Sequence, residues 1–517
     1  MKTNHRRLFR TIVLAGTVLM MYSAASAKTY YVSLKGDDAE DGATEVTAFR
    51  TISKGVSVLQ AGDTLIIKSG DYGNEMAVLK NSGRKDAPIL IKAETPGKVI
   101  LTGEKKGVGL TMIDKSHVVV EGLKFTRYGA GLVIKHRSSY VTVRRCIFLN
   151  NENAGIVLND GSLRDPKICH HHLFTENQFL DYSGAGLGSP LSGGGISDYG
   201  LRMYFSSNVE VTNNYFYGHH HQCLSFKEIM VDCRAAGNVF EGAYYTGVYL
   251  GQNEDNEVGY QARSRNLVAE YNVFRPSPEY RLKSPIWVAN VTGAIVRNNF
   301  MDAPNGYSGQ GIGVNVSAKD VKIYSNVIVD TSASRDNPGI RIAADCEIYN
   351  NTIAGCHSAL EFYFKTEGQK IRAVCRNNIF YKNTMPIHTI GKKGDYSASV
   401  FERNNWLPDW SGKGKTDISS DPDFVGPIER LKFNPYNPGA GGRGDRSGRP
   451  APSGDIELTP FAPKFVPDFK RAWAYRLKKG SPCIDKGVEV GLPFAGKTPD
   501  IGAYEFGQKV GVLENAK

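Results

Sequence analysis

Asparagine followed two residues later by phenylalanine or isoleucine recurs through residues 177–380 of this chain. The pairs are Asn177/Phe179, Asn214/Phe216, Asn238/Phe240, Asn272/Phe274, Asn298/Phe300, Asn326/Ile328, Asn351/Ile353 and Asn378/Phe380. They fall mostly 24 to 28 residues apart, with two longer steps. A period in this range, carried by short apolar strands, predicts a solenoid whose repeats bury their apolar faces against one another. The apolar period is two and glycine is frequent, which excludes an α-solenoid. Asparagine tolerates left-handed backbone and can bond its copy in the next repeat, so the column reads as a turn ladder rather than a catalytic row.

A second strand aligns in the same repeats. Leu132/Ile134, Ile156/Leu158, Leu201/Met203, Leu224/Phe226, Val248/Leu250, Ile286/Val288, Ile312/Val314, Ile340/Ile342 and Leu360/Phe362 are predicted to point inward. Strand period two then turns the intervening residues outward. One outward column reads Val133, Val157, Arg202, Ser225, Tyr249, Trp287, Gly313, Arg341, Glu361. The next reads Lys135, Asn159, Tyr204, Lys227, Gly251, Ala289, Asn315, Ala343, Tyr363. A one-residue slip would bury Arg202, Lys227 and Arg341 together, so this register is strongly preferred. Long polar or glycine-rich stretches at 181–200, 252–266 and 275–283 adjoin these strands and are expected to wall a groove.

The two ends bound the rest. Lys2, Arg6, Arg7 and Arg10 precede an apolar run and the small residues Ala25-Ser26-Ala27, the pattern of a secretory leader. Residues 1–27 are therefore expected to be removed, giving a secreted, periplasmic or cell-surface protein without a transmembrane segment. Losing those four cations lowers the formal charge of +11 to about +7, a mild excess that accommodates an acidic polysaccharide. The basic residues do not cluster into a patch, so nucleic acid is not expected as a partner. Eight cysteines in 517 residues do not make a disulfide scaffold, and Cys146, Cys233, Cys346 and Cys375 sit in apolar strand patterns as small core residues.

Tyr30-Tyr31-Val32-Ser33, Gly36-Asp37-Asp38, Phe49-Arg50-Thr51-Ile52 and Ala61-Gly62-Asp63-Thr64-Leu65-Ile66-Ile67 give strand, turn, a short helix near residues 52–59, turn and strand. This order resembles the N-terminal cap of secreted right-handed parallel β-helix proteins, among them pectate lyase, alginate lyase and chondroitinase B-like polysaccharide lyases and some glycoside hydrolases. Ser481-Pro482-Cys483-Ile484-Asp485 and Pro499-Asp500-Ile501-Gly502-Ala503-Tyr504 resemble the closing segment of the same proteins and are expected to cover the last coils. The fold expected is all-β, a right-handed single-stranded parallel β-helix in one monomeric unit. Residues 28–105 would form the cap and first coils, 106–425 the coils with the groove, and 426–517 a loop-rich tail, with 434–454 a linker or exposed loop.

The resemblance implies an enzyme that cleaves an acidic glycan by β-elimination, in which a basic residue on the outer sheet removes the proton beside a uronate carboxylate. Lys227 is the candidate base, because neighbouring positive charge and partial desolvation lower a lysine pKa. Arg202 and Arg341 are candidates to hold the acid group, and Tyr249 and Trp287 to stack on sugar rings. Tyr204, His220 or His221 would protonate the leaving oxygen. The histidine runs 170–172 and 219–221 hold six of the eleven histidines, and the second leads directly into the Lys227 strand. Alginate lyase and chondroitinase B-like proteins carry an arginine one coil beyond the lysine, where this chain has Gly251. Calcium is the other cation those lyases use, and Glu228 and Asp232 are the candidate ligands, with Asp160, Glu254 and Asp255 as further oxygen donors. Two rival readings remain. A glycoside hydrolase would draw its paired carboxyls from Glu228, Asp232, Asp255 and the outward Glu361. A non-catalytic glycan-binding protein would use the same groove.

Overall fold

A computed structural model describes residues 27–181, 199–218, 221–251, 263–275, 282–302, 309–329, 337–426 and 471–507. Each coil feeds one strand into each of three parallel sheets. In one coil these strands are Ala130–Lys135, Ser139–Arg144 and Ile147–Leu149. Ala154–Leu158, His170–Thr175 and Gln178–Asp181 of the next coil stack on them in parallel. The third sheet has thirteen strands; the first two are continuous because Tyr199–Thr212 and Gln222–Ala236 run through the corner between them. The result is a right-handed parallel β-helix, the hand that parallel crossovers impose.

The predicted register holds through the whole column. Arg202 pairs with Ser225, Ser225 with Tyr249, Tyr249 with Trp287, Trp287 with Gly313, Gly313 with Arg341 and Arg341 with Glu361. Every predicted inward pair is buried. Removing such a side chain from water stabilises the fold by about 1.5–3 kcal/mol, which is why the pattern dictates the register. On the third sheet Phe125, Phe148, Phe179, Phe216, Phe240 and Phe274 stack coil upon coil with ring centroids 4.7–5.4 Å apart.

The asparagines form the expected ladder. Asn214 Oδ1 accepts from the backbone N–H and Nδ2 of Asn177 at 2.9 and 3.0 Å, and the pattern continues through Asn238 and Asn272 to Asn404. One repeat differs from the sequence reading. The ladder member there is Asn299, not Asn298, and Met301 rather than Phe300 takes the inward place. Asn298 occupies the corner in front of it, with φ of 53°, a backbone conformation that asparagine adopts readily.

The ends are closed in two ways. At the start, the helix Ile52–Val58 is capped by the Thr51 side chain, which accepts from Lys54 N–H at 3.1 Å, and buries Ile52, Gly55 and Val56 over the first coil. At the far end Trp406 is buried, donates to Asp417 at 2.8 Å, and is covered by Trp410. The tail, expected to cover the last coils, is described in part, over residues 471–507. Its described part lies along the outer face of the third sheet, packing Tyr475, Cys483, Ile501 and Ala503 against Val327, Val329, Ala354 and Ile379. Residues 434–454 and the leader lie outside the described residues. All eight cysteines are buried and none is bridged. Among the described residues no helix is long and apolar enough to cross a membrane.

Candidate active site

The two outward columns converge where Tyr199–Thr212 pairs with Gln222–Ala236. Tyr204 and Lys227 are direct cross-strand partners. Lys227 faces out of the coil yet is only 6% exposed. Its ammonium donates to the phenol oxygen of Tyr199 at 2.8 Å and lies 5.0 and 5.6 Å from the ring centroids of Tyr199 and Tyr249. Among the described residues no carboxylate forms an ion pair with it. Burial pushes the Lys227 amine below its ordinary pKa; Tyr204 and Glu228 oppose that shift and Arg202 adds to it. The Tyr204 phenol moves the other way, raised by burial with Arg202 partly offsetting.

Arg202 sits one coil before Lys227. Its guanidinium lies 5.6 and 5.2 Å from the Tyr199 and Tyr204 rings, and Nη1 donates to Asn153 Oδ1 at 3.0 Å. Its Nε is buried with no partner. An unpaired buried donor on a cation is costly, and an incoming carboxylate would satisfy it. The hydroxyls of Ser225 and Thr246 and the Gln222 carbonyl are likewise buried without partners beside it. His221 reaches the same place: its ring stacks on Tyr245 at 5.2 Å and meets Tyr199 edge-on at 6.0 Å. His220 lies outside the described residues, as do 182–198, 252–262 and 276–281, most of the predicted groove walls.

Other candidates fall differently. Tyr249 is in the predicted column but 4% exposed, with its ring turned to Lys227. Trp287, half-buried, lies over the next coil, where a Cβ on Gly313 would stand 2.4 Å from the indole. The expectation that Arg341 joins Arg202 in holding one acid group is corrected. Arg341 is four coils beyond Lys227, about 19 Å at the strand spacing of a sheet, and its Nε pairs with Glu361 at 2.5 Å. Glu361, placed outward by the register, is 1% exposed because Arg341 and His388 clamp it, the latter at 3.0 Å. Glu228 stands at the corner after Lys227 with φ of 57°, and exposed Asp232 accepts from Asn266 at 2.7 Å. Among the described residues no group of three or more His, Cys, Asp or Glu side chains converges as ion ligands, and Glu254 and Asp255, named with Glu228 and Asp232 as oxygen donors, lie outside the described residues. Gly251, where the resembling lyases carry arginine, has φ of 108°, and a Cβ there would stand 1.8 Å from the Ala289 carbonyl oxygen. The backbone leaves that position no side chain.

Tyr199 was not among the sequence candidates. It is three residues before Arg202, so strict alternation turns it inward. The chain bends at Gly200, where a Cβ would meet the Phe216 ring at 2.8 Å, and the bend returns Tyr199 to the outer face. Ala130 and Val133, and Ala154 and Val157, share that outer cluster with Tyr199 for the same reason. The glycines at 131, 155 and 200 were the legible signal.

Residues 30–186 match the family model described as Pel9A-like, right handed beta helix region. No curated protein matches the chain. Among solved structures it is similar to pectate lyase Pel9A, at 16% identity over 93% of this chain and 97% of that one, with a TM-score of 0.40. It is also similar to a GH136 lacto-N-biosidase from Eubacterium ramulus, at 13% identity over 72% of this chain and 67% of that one, TM-score 0.48. A third is the PL6 family alginate lyase AlyGC, at 15% identity over 83% of this chain and 58% of that one, TM-score 0.47. The family match ends before Tyr199 and Lys227, so it bears on the coils and the cap: this chain carries a Pel9A-like right-handed β-helix region.

Proposed function

We propose that this protein is an exported enzyme that cleaves a uronate-containing polysaccharide by β-elimination at the Lys227 site. The observation that carries this reading is a desolvated lysine on the outer face, held by a phenol and two aromatic rings, with no carboxylate among the described residues in an ion pair with it. Such an amine can accept a proton near neutral pH. The Lys227 lone pair takes the proton from the carbon next to the uronate carboxylate. The released electron pair forms a carbon–carbon double bond as the glycosidic oxygen departs, and Tyr204 or His221 returns a proton to that oxygen. Arg202, with its unpartnered Nε, pairs the carboxylate and so acidifies the adjacent C–H. Half-buried Trp287, two coils beyond Lys227, offers a face to a neighbouring sugar ring. Export rests on the leader-like residues 1–27.

The test is a panel of uronate polymers, with and without chelator, followed by the ultraviolet absorbance of the unsaturated product. Absorbance that disappears in Lys227→Ala supports elimination. Reducing ends released without unsaturation would replace this reading with hydrolysis, and saturable binding without product would replace it with a binding protein.

A further inference from the structure

Lys227 and Arg202 are two cations on adjacent coils, and Coulomb repulsion between them must be offset for both to stay desolvated. Tyr199 meets both. Its ring is 5.0 Å from the Lys227 nitrogen and 5.6 Å from the Arg202 guanidinium carbon, and its phenol oxygen accepts from Lys227 at 2.8 Å. No other described side chain contacts the two cations in this way; Tyr204 covers Arg202 and Tyr249 covers Lys227. Tyr199 is itself 3% exposed and packs on Ala154 and Val157, so its ring is fixed from below by the preceding coil.

We propose that Tyr199 is a positioning residue: it couples the base to the acid-binding arginine and aims the Lys227 lone pair into the cleft. The inference rests on the proposed elimination at Lys227 and adds a group that the sequence did not reveal. The ammonium donates one N–H to the Tyr199 oxygen at 2.8 Å, which fixes where the nitrogen stands, so the proton it loses on becoming a base is one of the others. After Lys227 has taken the substrate proton, the same oxygen accepts from the ammonium. An acceptor stabilises the charged form of a lysine, and the 2.8 Å bond from the Lys227 ammonium makes Tyr199 that acceptor.

This arrangement has a signature that mere packing does not share. Tyr199→Phe keeps the ring, and with it the contact to both cations, but removes the acceptor. The Lys227 pKa should then fall further, moving the acid limb of the pH–rate profile to lower pH by about one unit. At the same time kcat should fall by roughly tenfold or more although a larger fraction of the lysine is unprotonated, with KM changed little. Tyr199→Ala, which also strips the ring from Arg202, should raise KM as well.

A measurement independent of turnover separates this inference from the proposed function. The side-chain carbon resonance next to the Lys227 amine, assigned by its loss in Lys227→Met, is titrated in the full chain and in Tyr199→Phe. A lower midpoint in the variant supports the coupling, and supports it even if no polymer is cleaved, in which case only the proposed function fails. An unchanged midpoint overturns it. Should Tyr199→Phe not fold, Lys227→Met supplies the reciprocal reading: removing the ammonium should raise the Tyr199 phenol pKa, and an unmoved phenol titration overturns the inference.

Discussion

Lys227 and Arg341 face outward from the same sheet, four coils apart, and their surroundings are opposite. Lys227 meets a phenol and two ring faces, with Arg202 beside it and, among the described residues, no carboxylate in an ion pair. Arg341 is bound to Glu361, which His388 holds from its other oxygen. A buried carboxylate clamped between two basic groups is a structural ion pair, whose loss is costly because it strands charge away from water. A desolvated cation without a carboxylate is instead a site waiting for an anion or a proton. Register places both residues on one face; pairing tells them apart.

Substitutions should split the two clusters. Lys227→Ala is expected to lower the elimination rate by about 10²–10⁴-fold while leaving the urea unfolding midpoint nearly unchanged. The residual wild-type rate should climb with pH through a midpoint below the ordinary lysine range, since burial favours the neutral amine. Glu361→Ala should do the reverse, costing about 3–5 kcal/mol of stability in denaturant titrations with the rate per folded molecule little altered. A large rate loss at unchanged stability would make the Arg341 cluster catalytic and erase the contrast.

Gly251→Arg supplies the basic residue that the resembling lyases carry beside Lys227. The left-handed backbone and the Ala289 carbonyl should make it cost at least about 1–3 kcal/mol and give no gain in rate, checked by thermal unfolding and turnover. A gain would show that the coil can reshape and that a second cation beside Lys227, on the side away from Arg202, limits the rate.

The smallest effect per pH unit concerns histidine, which shows the same divide. His221 borders Tyr199, whereas His172 is locked inside the coil, 3.5 Å from the Cys169 sulfur, and burial pushes its pKa down to about 3. The unfolded chain binds this proton from about pH 6.5 downward and the folded chain does not. Stability should therefore be complete above that pH and fall by up to about 1.4 kcal/mol per unit toward pH 3. His172→Phe should flatten that slope in acid denaturation, and an unaltered slope would place the titrating group elsewhere.

Much of this was readable in the chain. The paired inward residues from Leu132 to Phe362 and the outward run from Arg202 to Glu361 follow from period two and burial alone, because misplacing them would bury cations. Where one residue of irregular backbone intervenes, alternation loses count. At residues 297–299 two adjacent asparagines shifted the ladder by one place, and at Gly200 a bend brought Tyr199 out. His170 and His171 both face outward, Nδ1 to Nδ1 at 2.8 Å, because His171 takes a left-handed φ of 58° that breaks alternation, while His172 turns in.

The sequence by itself determined the solenoid, its register, and the placement of Arg202, Tyr204 and Lys227 on one face. These rest on local periodicity and on the cost of burying charge, both properties of each strand taken alone. Only the tertiary structure decided that Lys227 has no carboxylate ion pair among the described residues, that Arg341 has one, that Gly251 admits no side chain and that Tyr199 bonds Lys227. Those are relations between residues twenty or more positions apart, brought within bonding distance by stacked coils, and no pattern within a single strand encodes them.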